Sequence, residues 1–260
     1  MIRVVLMGAA GRMGRAIREV AESHSALTIK ACVDRAENPG VPAGVWRTSL
    51  EEAVEPGDVV VEFSSPAACL EAATLCAERG AALVSGTTGL SAEDEAAVRA
   101  AASRVAVVRA ANFSLGVAIL RRAVAAALEA LPRSWDVEIV ERHHRNKVDS
   151  PSGTALLLAA DVAAGRGFGP GSVRSGRTGH TGVRSDGEIG VASVRGGGWV
   201  GDHEVLLAGE SEWLELRHVA SERRAFAHGA LAAARFAAGA PAGIHSMSDV
   251  AAGVAGFRDE

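Results

Sequence analysis

Val4-Val5-Leu6-Met7-Gly8-Ala9-Ala10-Gly11-Arg12-Met13-Gly14 decides the fold. Four apolar residues in a row read as a strand buried on both faces. The glycines after it let the backbone turn tightly, and Met13, Ile17, Val20 and Ala21 then recur on one face of a helix. Downstream the alternation continues, with strands over 28–33, 58–63, 82–85 and 105–109 and helices over 66–79 and 91–103. Gly80 stops the first of these helices, and Ser91 with Asp94 opens the second. Strands and helices in this order imply a parallel sheet covered by helices, an α/β fold.

Past residue 114 the pattern changes. A helix over 115–131 stops at Pro132, a strand covers 136–142, and a helix covers 152–164. The Gly-, Arg- and Ser-rich stretch 165–187 reads as a long loop. Strands over 189–195, 203–207 and 213–219 follow in close succession, which predicts an open, mixed or largely antiparallel sheet with one face to cover. A helix over 226–238 returns at the end. With 260 residues, two modest domains are expected.

Composition narrows the function. The chain is 48% apolar and 22% charged, an ordinary globular balance. Its formal charge of −4 gives no general attraction to nucleic acid or to an anionic membrane, so any pull on an anion must be local. The three cysteines, Cys32, Cys69 and Cys76, form no Cys-x-x-Cys and read as small buried apolar residues of a protein in a reducing, cytoplasmic setting. No metal site is expected.

The bend Gly8-x-x-Gly11-x-x-Gly14 suits a dinucleotide. Glycines admit a pyrophosphate close to the backbone, and the helix opening at Arg12 and Met13 presents N–H groups to it. Asp34 ends the second strand, where a carboxylate meets ribose hydroxyls, and Arg35 follows it, placed to pair with a 2′-phosphate. Carrying both predicts use of NADH or NADPH. Gly86-Thr87-Thr88-Gly89 and Ala111-Asn112-Phe113-Ser114 follow later strands, at the carboxyl ends where ligands of such sheets sit.

Glu141-Arg142-His143-His144-Arg145-Asn146-Lys147-Val148-Asp149-Ser150-Pro151-Ser152-Gly153-Thr154 is the strongest chemical signal. Two histidines, two arginines and a lysine crowd a short loop, and a helix opens at Ser152-Gly153-Thr154. In a chain of net −4 this concentration answers an anionic substrate.

On these motifs, with Gly201-Asp202-His203, Arg223 and Phe226-Ala227, the chain resembles the 4-hydroxy-tetrahydrodipicolinate reductases, also called dihydrodipicolinate reductases, of lysine and diaminopimelate synthesis. The resemblance implies a Rossmann-type domain over 1–114 and 224–260, and a smaller α+β domain over 115–223 that binds substrate and builds a homotetramer. It implies hydride transfer from NADH or NADPH to a small cyclic imine dicarboxylate, with His143 as acid/base and Lys147 as proton donor. His144, Lys147, Gly153, Thr154 and Arg223 would hold the substrate, and Ala9 and Ala111 would join the glycine and 112–113 loops around the cofactor. Two rivals share these features: a reductase of another cyclic imine, and a nucleotide sensor without turnover.

Overall fold

The computed structural model describes residues 1–35, 44–169 and 171–254, so the expected extent of the first domain over 255–260 lies outside the described residues. The chain divides into two compact units, 1–115 with 223–260, and 116–222.

The first unit runs β1 (Ile2–Met7), α1 (Arg12–Ala21), β2 (Leu27–Val33), β3 (Trp46–Arg47), β4 (Val59–Glu62), α2 (Pro66–Arg79), β5 (Ala82–Ser85), α3 (Ala92–Ala101) and β6 (Ala106–Arg109). After the second unit it resumes with α6 (Arg224–Ala237), β12 (Gly243–His245) and α7 (Met247–Val254). Its sheet has the order β12-β6-β5-β4-β1-β2-β3, and all six pairings are parallel. Val4, Val5 and Leu6 are wholly buried, as are Val59, Val60 and Val61, which is why these strands read as unbroken apolar runs. The three cysteines are free and buried, Cys69 and Cys76 within the core that Val5, Val60, Leu83 and Val107 share with α2.

Local chemistry sets the boundaries. Ser65 caps α2 through Ala68 N, Pro66 follows it, and Gly80 ends the helix in the left-handed region at φ 69°. Ser91 and Asp94 form a reciprocal capping box on α3. The chain leaves β1 for one edge of the sheet through β2 and β3, and for the other through β4, β5 and β6. The strand order therefore reverses between β1 and β4, and the crevice of such a sheet opens at the carboxyl ends there.

The second unit holds α4 (Leu115–Ala130), β7 (Asp136–His143), α5 (Gly153–Arg166), β8 (Val173–Ser175), β9 (Ile189–Arg195), β10 (Gly201–Ala208) and β11 (Trp213–Ala220). Its sheet, ordered β11-β10-β7-β9-β8, is mixed: β11, β10 and β7 run antiparallel, while β7, β9 and β8 run parallel. The expected mixed sheet is thus observed, with two antiparallel and two parallel pairings rather than largely antiparallel ones. β9 and β10 are successive in sequence but lie on opposite sides of β7, so they are not a hairpin. The long loop over 165–187 is corrected too, because α5 extends to Arg166 and Val173–Ser175 pairs with β9. Period-two alternation turns Val137, Ile139, Val205 and Leu207 inward against Leu120 and Val124 of α4 and Leu158 and Val162 of α5.

Candidate active site

The glycine bend is shaped by contacts that no side chain would tolerate. Gly8 sits at φ 80°, and a Cβ there would lie 2.4 Å from the Phe63 carbonyl oxygen. A Cβ on Gly14 would lie 2.3 Å from the Gly8 carbonyl oxygen. The bend is tied to the end of β2, since Gly8 N donates to Val33 O at 3.0 Å and Ala10 N to Asp34 Oδ2 at 2.9 Å. Asp34 also accepts from Arg35 N at 2.8 Å. It therefore fixes the loop.

A cleft of about 590 Å³ opens at this place, bordered by Gly8, Gly11, Asp34, Arg35, Phe63 and Ser64. The left-handed glycine, the backbone held clear of Cβ atoms, the carboxylate and the helix N-terminus behind them fit a dinucleotide. The other expected residues do not line the cleft. Ala9 is wholly buried beneath the bend, Arg12 and Met13 open α1, and Gly14 packs against the turn. Arg223, the residue before α6, is an exposed cation that partial desolvation and the neighbouring Arg12 charge make easier to deprotonate.

The second and third loops behave differently from the first. The Thr87 side chain turns inward, and its hydroxyl donates to Glu62 Oε1 at 2.6 Å, while exposed Thr88 and Gly89 face water. Gly86 lies against the Phe63 ring, where a Cβ would come within 2.0 Å of ring carbon. Phe113 is buried edge-on to Phe63, with ring centroids 5.1 Å apart. Ala111 is exposed, and Asn112 Oδ1 accepts from Ser114 N at 2.8 Å, folding the turn on itself.

Sequence reading missed Glu62. It ends β4, is wholly buried, and accepts from Ser64 N, Ser64 Oγ, Ser85 Oγ and Thr87 Oγ1 at 2.5–2.9 Å. One carboxylate thereby holds the cleft wall at Ser64 and the 86–89 loop together.

In the second unit, His143 is the last residue of β7 rather than part of a loop. Strand alternation puts Glu141 and His143 on one face, and register places Glu141 opposite His203 on β10 and His143 opposite Arg195 on β9. Glu141 Oε2 lies 2.5 Å from His143 Nδ1. Arg195 grips both Glu141 oxygens at 2.7 and 2.8 Å, and Ser152 N donates to Oε1 at 3.1 Å. Burial alone would raise the Glu141 carboxyl, but the Arg195 guanidinium and His143 bring it down to about 2. His203 packs edge-on to His143 with centroids 5.1 Å apart, and its Nε2 meets Ser152 Oγ at 3.1 Å. Burial, and then the His143 charge, push the His203 imidazole down to about 4. Burial also lowers His143, although Glu141 pulls the other way.

The 144–147 turn is strapped down by backbone. His144 N donates to Trp199 O at 2.8 Å, Arg145 N to Gly197 O at 3.3 Å, and Gly196 N to His143 O at 3.0 Å. The cationic crowd is less one-signed than its sequence suggests, because Lys147 Nζ donates to Asp149 Oδ1 at 2.8 Å and Arg142 pairs with Asp202 and Glu204. At the start of α5, Ser152 caps Ala155 N, and Gly153 is exposed with nothing within 4 Å of where a Cβ would stand. Thr154 follows it in the first turn of the helix. A carboxylate can approach the helix end closely here, with Lys147 and His144 in the preceding turn of the same unit.

This buried triad predicts acid lability. An unfolded histidine titrates near 6.5, so as pH falls from 6.5 toward 4 the unfolded chain takes up a proton that folded His203 refuses. The stabilisation is complete above 6.5 and is lost through that window; Glu141 adds a second loss only as pH falls from 4.5 toward 2. Urea unfolding should show stability falling by roughly 2 kcal/mol between about pH 7 and pH 5, from the His203 shift alone. A flat profile over that range contradicts the buried neutral imidazole.

Family models cover almost the whole chain. One described as dihydrodipicolinate reductase, N-terminus, matches residues 2–113, and one described as dihydrodipicolinate reductase, C-terminus, matches residues 116–251. Among curated relatives, the 4-hydroxy-tetrahydrodipicolinate reductase of Caulobacter vibrioides is 44% identical over 252 residues, 96% of each chain. That of Parvibaculum lavamentivorans is 44% identical over 96% of this chain and 97% of its own. The solved dipicolinate-bound dihydrodipicolinate reductase from Paenisporosarcina sp. TG-14 superposes with a TM-score of 0.79 at 27% identity, covering 95% of this chain and 97% of its own. With both halves matched in order and relatives this similar along the full span, the chain belongs to the dihydrodipicolinate reductase family.

Proposed function

We propose that the protein reduces 4-hydroxy-tetrahydrodipicolinate to tetrahydrodipicolinate, with NADH or NADPH as reductant, in lysine and diaminopimelate synthesis. The observation that carries this reading is the second unit's pairing of a carboxylate-held imidazole with a lysine and an open helix N-terminus, in a family of such reductases. The dinucleotide supplies a hydride. Gly8, Gly11 and the α1 N-terminus receive its phosphates, and Asp34 its adenosine ribose. Lys147, His144, Gly153 and Thr154 hold the two ring carboxylates through charge and N–H donors. Hydride addition to a conjugated imine sends an electron pair into the ring, and a proton must meet it there; Lys147 and His143 are the groups that hold one. Loss of the ring hydroxyl as water releases one ring C–H proton for the one the departing oxygen takes up, so the reaction as a whole consumes one hydride and one proton.

Choice of cofactor rests on Arg35, which borders the cleft beside Asp34. Arg35→Ala should weaken NADPH by roughly tenfold, the worth of one charge-assisted contact, and NADH much less. Fluorescence titration of both cofactors checks this, and equal losses would show that Arg35 does not read the 2′-phosphate.

The protein is proposed to act in the cytoplasm as a homotetramer. The outer face of the second sheet supports assembly, since Trp213 and Val219 on β11 and Val194 on β9 are exposed apolar side chains there. The decisive experiment follows nicotinamide absorbance while the substrate is made in place by the preceding enzyme. Oxidation that needs both enzymes is expected; none with either cofactor overturns the reading.

A further inference from the structure

We propose that Glu141, locked by Arg195, is a positioning residue that fixes the tautomer of His143, so that Nε2 is the one atom of this histidine able to take or give the catalytic proton. The inference rests on the reading of His143 as an acid/base group and adds the atom and the device. An ionised carboxylate only accepts. The groups that bond Glu141 are accordingly donors: Arg195 Nη1 and His143 Nδ1 on Oε2, and Arg195 Nη2 and Ser152 N on Oε1, with the Ser193 hydroxyl also able to donate to the carboxylate. His143 Nδ1 must therefore carry its hydrogen toward Glu141. Nε2 is left as the basic nitrogen, and it faces Gly201, where even a Cβ would stand 3.5 Å away. His143 is mostly buried, so without this pairing either nitrogen could hold the proton. The charged and titratable groups about the imidazole are Glu141, Arg195, Lys147 and His203. Among them Glu141 is the acceptor at Nδ1.

The same geometry says what an amide would do. In Glu141→Gln one of the two oxygens becomes NH2. At the Oε1 place it would confront two obligate donors, Arg195 Nη2 and Ser152 N. At the Oε2 place it confronts one, Arg195 Nη1, and an imidazole nitrogen that can become an acceptor. The amide takes the second place and drives the hydrogen of His143 from Nδ1 to Nε2.

Nitrogen NMR of the histidine-labelled full-length protein tests this without turnover. Neutral His143 should show a protonated Nδ1 and an unprotonated Nε2, and Glu141→Gln should reverse the pair. Glu141→Asp, which restores an acceptor-only group, should keep the original tautomer. Turnover should fall on the order of tenfold to a hundredfold in Glu141→Gln, the scale of lost acid–base help, and recover in part in Glu141→Asp. A wild-type Nδ1 without hydrogen overturns the inference whatever the variants do. So does a folded Glu141→Gln that keeps the wild-type tautomer and rate. If His143→Ala retains full turnover while the tautomers behave as expected, the acid–base reading fails and the positioning stands.

Discussion

Gly14→Ala should weaken dinucleotide binding severely. A methyl group there would meet the Gly8 carbonyl oxygen at 2.3 Å and the Ala9 Cα at 2.6 Å, and both are backbone. Neither can retreat cheaply. Gly8 N and Ala9 N are bonded to Val33 O, Ala10 N to the Asp34 carboxylate, and the Ala9 side chain is wholly buried. Forcing extra volume into such packing costs about 1–3 kcal/mol or more. The strain falls on the turn that must fit a pyrophosphate, so affinity should drop by roughly a hundredfold, equivalent to about 3 kcal/mol. Calorimetric titration with NADPH measures it. Gly239→Ala, which has open space about its would-be Cβ, serves as the control and should bind normally. Wild-type affinity in folded Gly14→Ala would mean that the cleft beside Asp34 is not the cofactor's.

What could be read from sequence follows from how local its cause is. β1, α2 and β5 are visible because unbroken apolar runs, a Ser-Pro start and a terminal glycine act within a few residues. β3, β8 and β12 are two or three residues long and exist through their partners Cys32–Val33, Ile189–Val191 and Ala106–Val108. No periodicity announces so short a strand. The strand order of the second sheet is equally non-local, since sequence order places β10 after β9 while pairing places both on β7. Asp202 is buried and clamps β10 to its neighbours through Arg142 and Arg217, and Ser246 caps α7 through Asp249.

Site residues divide in the same way. Gly8, Asp34 and the 143–154 turn were legible because glycine spacing and clustered charge are properties of one segment. Glu62 and Arg195 were not, because their partners lie 23 and 54 residues away along the chain. Glu141 had one available signal, the Glu-x-His spacing that puts both side chains on one face of a strand. Ending the strand at Arg142 hides it, because His143 then falls in the loop.

His143→Ala and Lys147→Ala should each lower kcat by roughly a hundredfold or more, the usual loss when a positioned proton carrier is removed. Cofactor affinity should barely change, since neither residue belongs to the unit that carries the glycine bend. The two variants should differ in KM. His143 is mostly buried behind its carboxylate partner, so its loss should fall on kcat, whereas Lys147 also supplies charge to a substrate carboxylate and its loss should raise KM as well. Lys147→Arg separates those duties. A guanidinium keeps the charge and can still pair with Asp149, but it does not release its proton in the working pH range. Its KM should stay near wild type while kcat falls with that of Lys147→Ala. A Lys147→Arg enzyme that turns over at the wild-type rate would show that residue 147 holds the substrate without feeding it a proton, and would leave His143 as the sole donor.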